Sequence, residues 1–457
     1  MSSEPEGGQG QVVPKFDSAA AHQCMPRLRP VRGFPAQAGD QVALGLADAR
    51  QVSDKVVFTS PAAQYVLPLM DGQKTLDEIV GAVGKGLSRP ILEGLVAQLD
   101  DAGLLFGPRF DEMLAKMRQE FDSAPVLPPA STAAMADALL AQDDGAAFAT
   151  MSPEEKAERG AKRLREVFDQ WIAAALKDVA NPSLDQLPKA VVAPHIDYPR
   201  GWLNYGSVWG RLRIVDRPDR VVVLGTNHFG ESTGVCGCDK GYESPLGICE
   251  VDAELVAKLR ANLGEADAQK LFANRYDHER EHSIELQIPW IQHCLGAGED
   301  GKFCKVFGAL IHDPTVNNGE SYDGKGVSLT AFIDALKATL AQLPGRTLVV
   351  ASADLSHVGP AFGDQQSLAG DEGEAAQFRN KVFQHDREMV ELIVNRKPDE
   401  LVAAMCWQQN PTRWCSIGNL VAVLKVVEPQ AVEMFNFAAA MDEQGTMMVS
   451  TVGMAMS

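Results

Sequence analysis

Val221-Val222-Val223-Leu224-Gly225-Thr226-Asn227-His228 is an aliphatic run that breaks into a Gly-Thr-Asn turn and ends on an imidazole. A strand covered on one face alternates apolar and polar residues, whereas a run without polar residues is the mark of a parallel strand covered on both. The same texture returns at Val191-Val192-Ala193, from Val306 to Ile311 and at Leu348-Val349-Val350-Ala351, with helical periodicity in between. This alternation predicts an α/β domain: a mostly parallel central sheet with flanking helices. Met434 to Ala440 and Thr446 to Met454 are two further expected strands, candidates for antiparallel additions.

The residues that follow the strands carry the chemistry. His195 follows the first in Ala193-Pro194-His195-Ile196-Asp197-Tyr198, His228 ends the run quoted above, and His357 follows a later strand in Ser352-Ala353-Asp354-Leu355-Ser356-His357. In open α/β sheets, the loops at the carboxyl ends of the strands share one crevice. A single histidine there is as well explained by a hydrogen-bonded loop. Several imidazoles on one rim point to a metal ion, to proton transfer, or to both. A fourth element, Asp277-His278-Glu279-Arg280-Glu281-His282-Ser283-Ile284-Glu285, would place 278, 281, 282 and 285 on one helical face. Pro289 either kinks that helix or sits in the first turn of another. The His-Glu-Arg-Glu-His order is not the H-E-x-x-H of zinc proteases, and an amphipathic helix with a solvated charged face also accounts for the segment.

Toward the N-terminus, Ser152-Pro153-Glu154-Glu155 has the composition of a capping box opening a helix to about Lys177, with Leu164, Val167, Phe168, Trp171 and Ile172 on one face. A Pro/Ala/Ser-rich stretch, Ala124 to Ala134, interrupts the helical pattern before it. Residues 109–184 are accordingly read as a helical linker and first helices packing on a large domain over 185–457. Residues 26–108 read as a separate small domain, with a strand at Val56-Val57-Phe58 and helices from Pro61 to Met70, Thr75 to Val83 and Arg89 to Ala102. Residues 1–25, rich in Gly, Ser, Gln and Ala, read as a flexible N-terminus.

The formal charge is -19, from 42 Lys and Arg against 61 Asp and Glu, which argues against a nucleic-acid partner and for small molecules, peptides or cations. No apolar run approaches the ~20 residues of a membrane span, and Met1 to Gln11 lacks the order of a secretory signal, so a cytoplasmic protein away from membranes is expected. The eight cysteines are scattered, which in a reducing compartment predicts free thiols, mostly buried.

Taken in order, Ala193-Pro194-His195, Gly225-x-x-His228, Glu281-His282-Ser283-Ile284-Glu285-x-Gln287-x-Pro289, Ser352-x-Asp354-Leu355-Ser356-His357 and a late Cys415 resemble the Memo family, including protein B of the AmmeMemoRadiSam system, over about 185–457. The resemblance implies a fold similar to the metal-binding catalytic subunit of class III extradiol ring-cleaving dioxygenases. It also implies His195, His228 and Cys415 as metal ligands, with His357, Asp354 and His282 as catalytic residues of the cavity and Asp354 orienting His357. The chain departs from the family at Gly225-Thr226-Asn227-His228-Phe229, which stands for Gly-Pro-Ser-His-His, at Ile196-Asp197, which replaces small residues, and at Cys415-Ser416, which replaces Cys-Gly. Two imidazoles and a thiolate form a softer set than the two-His-one-carboxylate triad and admit Fe(II), Cu(I) or Zn. The dioxygenase-like fold favours one Fe(II) ion.

The function this implies is a non-haem iron-dependent redox enzyme. The alternatives are a non-catalytic peptide- or phosphopeptide-binding module and a Cu(I)/Fe binding and delivery protein. Near the front, Leu69-x-Asp71-Gly72-x-x-Thr75-x-x-Glu78-Ile79 followed by Leu99-x-x-x-Gly103-Leu104-Leu105 resembles the small winged-helix peptide-recognition domains of the PqqD type. Two cations against five carboxylates between Asp77 and Leu105 argue against a DNA reader, so the resemblance implies docking of a peptide or of a radical-SAM or AMMECR-like partner.

Overall fold

Strands without polar side chains need cover on both faces, and the four apolar runs find it at the centre of one sheet. In the computed structural model, which describes residues 14–38, 41–84 and 86–457, the chain divides between Ser123 and Ala124 into two compact units. The larger unit carries a mixed eight-stranded sheet. Its strands are β1 (Ala190–Ala193), β2 (Arg220–Thr226), β3 (Cys236–Gly237), β4 (Lys305–Ile311), β5 (Thr347–Ser352), β6 (Asp354–Val358), β7 (Val432–Met441) and β8 (Met448–Met456). The order is β6-β8-β1-β5-β2-β4-β3, with β7 also paired to β8. The segment β1-β5-β2-β4 is parallel and the additions on either side are antiparallel.

The parallel strands are buried along almost their whole length. Helix α1 (Ser131–Asp144) packs on α2 (Pro153–Leu176), α2 on α3 (Tyr198–Trp209), and α3 on β7 and β8. Helices α4 (Leu329–Gln342) and α5 (Ile417–Val427) pack on each other, and α5 covers β2 and β5. Register then positions the site: Ser352 lies opposite Ala193, Ala351 opposite Leu224, and Ile311 opposite Thr226, so the carboxyl ends of four neighbouring strands come out side by side.

In the smaller unit, antiparallel strands Val31–Ala38, Gln41–Asp48 and Val56–Thr59 accompany helices Leu76–Val83, Arg89–Asp101 and Pro108–Ser123. Leu46, Val57, Ile79, Leu92, Val96 and Leu99 fill its core. Thr75 forms a full capping box: its Oγ1 accepts from the Glu78 amide, and the Glu78 carboxylate accepts from the Thr75 amide.

Several expectations need correcting. Pro61 to Met70 is two short 3-10 turns, Pro61–Tyr65 and Leu67–Leu69, because Pro68 lacks an amide donor and disfavours helical geometry at Leu67. The hairpin Val31–Ala38 and Gln41–Asp48 was not foreseen; Gly33 and Pro35 obscure its strand pattern. Helix Pro108–Ser123 groups with the front unit rather than with a linker, and Ala124 to Ala134 contains the start of α1. Only half of the second capping box forms: Ser152 Oγ accepts from the Glu155 amide at 3.2 Å, while the Glu155 carboxylate pairs with Arg159. Of the stretch expected to be flexible, 1–13 lies outside the described residues, but Gln23 is buried and donates to Asp100 at 2.7 Å. Among the described residues the eight cysteines are free; five are buried, Cys24 and Cys415 are partly exposed, and Cys406 is exposed. No helix among the described residues is long and apolar enough to cross a membrane.

Candidate metal centre

The strand ends bring three donors together. His195 follows β1, His228 follows β2, and Cys415 sits just ahead of α5; each offers one ligand atom, and the three lie within 4.8 Å of one another. The Cys415 Sγ is 3.3 Å from His195 Nε2.

Neighbours dictate which ring nitrogen is free. His195 Nδ1 lies 3.1 Å from the Ser352 carbonyl, which can only accept, so Nδ1 carries a proton and Nε2 is the nitrogen turned to the sulfur. His228 Nδ1 lies 3.0 Å from Glu281 Oε1, which likewise holds a proton on Nδ1 and turns Nε2 to the site; the raised pKa of this ring keeps a second proton on Nε2 in the metal-free protein, and a bound cation would displace it. A metal-binding imidazole needs this arrangement, an acceptor behind the ring and a lone pair in front. The thiol is prepared as well. Burial raises the Cys415 pKa, but facing His195 and then His228 bring it down to about 6, so the sulfur is a thiolate at neutral pH. Two imidazole Nε2 atoms and a thiolate at this spacing would suit a soft or borderline cation, which takes the place of any proton on those nitrogens.

The same neighbourhood polarises its other members. Burial disfavours the charged form of His228, but the Glu281 carboxylate, and after it Cys415, raises its pKa. Glu281 is buried, which works against its charge, yet His228 and then His282 hold it at about 2. Burial drives His282 down to about 3 against the pull of Glu281, so this ring is neutral. Burial also lowers His357, opposed by Asp354, and raises Asp354, opposed by His357.

His195, His228, His282, Asp354 and His357 line one cavity of about 380 Å³, whose apolar wall includes Ile196, Leu286, Phe362 and Val449. Two expectations about these residues change. His357 lies inside β6, not in a loop after a strand, because Ala353 turns the chain into a new strand that pairs with β8. Asp354 does not orient His357: it accepts from the His195 amide at 2.9 Å and lies 3.7 Å from His195 Nε2, while His357 Nδ1 faces the Leu355 carbonyl at 2.9 Å.

The segment 278–285 is not one helical face. A 3-10 turn, Arg275–His278, and a short helix, His282–Glu285, are separated by extended backbone at Glu281. His278 therefore points elsewhere, between the Tyr242 hydroxyl at 2.9 Å and the Cys236 carbonyl at 3.1 Å. Pro289 falls in the first turn of the next helix, Ile288–Leu295.

Sequence reasoning gave no role to three supporting residues. Glu281 sets the His228 tautomer. Asp277 accepts from Asn227 Nδ2 and from the amides of Glu231 and Ser232, which pins the loop behind His228. Asp386, fully buried, accepts from Ser356, Ser450 and Trp414, and so ties the neighbours of His357 and Cys415 to one carboxylate. Acidic residues inside or beside a histidine-rich stretch were the available signal for Glu281 and Asp277; nothing local marks Asp386.

A protein-family model described as Memo-like protein matches residues 157–456. Among curated proteins, the chain is 28% identical over 203 residues to a MEMO1 family protein of Pyrobaculum aerophilum, covering 43% of this chain and 65% of that protein. It is 32% identical over 172 residues to one from Methanopyrus kandleri, covering 37% and 53%, and 31% identical over 177 residues to one from Thermotoga maritima, covering 38% and 54%. The matched stretches thus span between about half and two thirds of the length of these relatives.

Proposed function

The chain belongs to the Memo-like protein family, and from that premise we propose that its larger unit holds one metal ion on His195 Nε2, His228 Nε2 and Cys415 Sγ and works there as a redox enzyme on a small molecule. The observation that carries this reading is the pair of imidazoles whose outer nitrogens are occupied by Ser352 and Glu281 and whose inner nitrogens face one low-pKa thiol. Such a donor set suits Fe(II), Cu(I) or Zn. Fe(II) is favoured by the resemblance of this family to the class III extradiol dioxygenases. When bound, the ion would supply a Lewis-acidic centre with room for O2 or a substrate donor atom.

The chain's own residues would do the rest. His357, neutral and with Nδ1 committed to Leu355, has Nε2 left to take a proton from a molecule in the cavity. His282, also neutral, stacks on His228 at 4.8 Å and closes the polar side of the cavity. Asp354 holds the His195 loop in place. Metal analysis of anaerobically purified protein checks the reading: about one ion per chain is expected in the wild type, with loss in His195→Ala and Cys415→Ser. Wild-type protein without metal would overturn it.

A docking role is assigned to the smaller unit, read as a winged-helix-like domain for a peptide or for a radical-SAM or AMMECR-like partner. An apolar groove of about 1010 Å³ supports it, with Phe58, Tyr65 and Ile91 more than half exposed along its rim. Partner binding that survives His195→Ala would separate this role from the metal centre.

A further inference from the structure

Glu285 belongs to the histidine-rich segment, yet it takes no part in the metal centre. Its buried carboxylate accepts from the amides of Ala130, Ser131 and Thr132 and from Thr132 Oγ1, at 2.7 to 3.1 Å. These are the orphan donors at the start of α1, where a carboxylate also meets the positive end of the helix dipole. The helix is held along its length too: Ala136 and Leu140 are buried, and Gly160 of α2 permits close approach, since a Cβ there would lie 3.3 Å from the Ala136 Cβ. Ser131 and Met135 from this seated helix line the cavity that contains His195, His228 and His282. The family match begins only at residue 157, so α1 lies outside the matched domain.

We propose that α1 is an outer wall added to the cavity, and that Met135, beside Ser131, sets the size of molecule that can reach His195 and His228 and, just behind them, the Cys415 thiol, whose Sγ lies 3.3 Å from His195 Nε2. The proposal rests on the small-molecule reading of the site and narrows it: at about 380 Å³, with Ile196, Leu286, Phe362 and Met135 on the walls, the cavity takes a compact molecule with an apolar body rather than a folded peptide segment. Glu285 is the positioning residue, because it seats the helix that carries the wall. Met135 is only partly buried, so substitutions there spare the core.

The test uses the full chain stripped of metal, which makes it independent of whether an ion binds. Alkylation of Cys415 by iodoacetamide and by a bulky N-aryl maleimide is followed by site-resolved mass spectrometry, and the ratio of the two rates is the readout. Met135→Ala should raise the bulky-to-small ratio by about tenfold and Met135→Trp should lower it by a similar factor. Glu285→Gln should shift it in the same direction as Met135→Ala. Ratios within about twofold of wild type in both Met135 variants would overturn the proposal, whatever the metal analysis shows.

Discussion

Glu281→Gln is the sharpest test of how the imidazoles are prepared. In the wild type, Oε2 accepts from the His228 amide at 2.8 Å, while Oε1 accepts from His228 Nδ1 at 3.0 Å and from the Ser283 amide at 2.9 Å. Glutamine keeps the shape but converts one acceptor into a donor. If its NH2 faces the His228 amide, two N–H groups oppose each other. If it faces Nδ1, that nitrogen must give up its proton, the proton moves to Nε2, and the lone pair aimed at the cation is lost. Removing an outer partner of a metal-binding histidine typically weakens affinity ~10–100-fold, or ~1.4–3 kcal/mol. Stability should change as well. The interval between about 2 and the ordinary 4.5 for this carboxyl corresponds to ~3 kcal/mol. Because the folded-state pKa is depressed, that stabilisation is complete above 4.5 and disappears as pH falls through about 2. Chelator competition with Zn(II) at neutral pH measures the first effect, and urea unfolding of metal-free protein at several pH values measures the second. Affinity within about twofold of wild type, together with a stability difference that does not shrink in acid, would refute the reasoning.

Two further perturbations probe the site. The Cys415 thiol, lowered to about 6 from the ordinary 9.0, should alkylate in metal-free protein with a pH midpoint near that lower value and be protected by added metal; a midpoint close to 9.0 would show that His195 and His228 do not act on it. Gly230→Ala would bring a Cβ to 2.1 Å from Asp277 Cγ and 2.4 Å from Asn227 Oδ1, so it should displace the loop behind His228 and weaken metal binding about tenfold while costing ~1–3 kcal/mol of stability. Unchanged affinity and an unchanged Tm would show that this loop does not position the ligand.

The parallel sheet and two of the three candidate ligands could be read along the chain because both signals are local. Burial on two faces removes polar residues from a strand wherever that strand lies, so Val221 to Leu224 and Leu348 to Ala351 announce themselves. Strands of one parallel sheet must then deliver their loops to one edge, which carries His195 and His228 with them. Other relations are set through space between segments far apart in the chain, and no periodicity encodes them. Only the tertiary structure put His357 inside an added strand, because pairing with β8 outweighs the loop-like look of Ser352 to His357. Only it made Glu281 the group that chooses the His228 tautomer, Glu285 the seat of α1, and Met135 a wall of the cavity. A hydrogen bond depends on where two atoms end up after packing, and packing is a property of the whole fold.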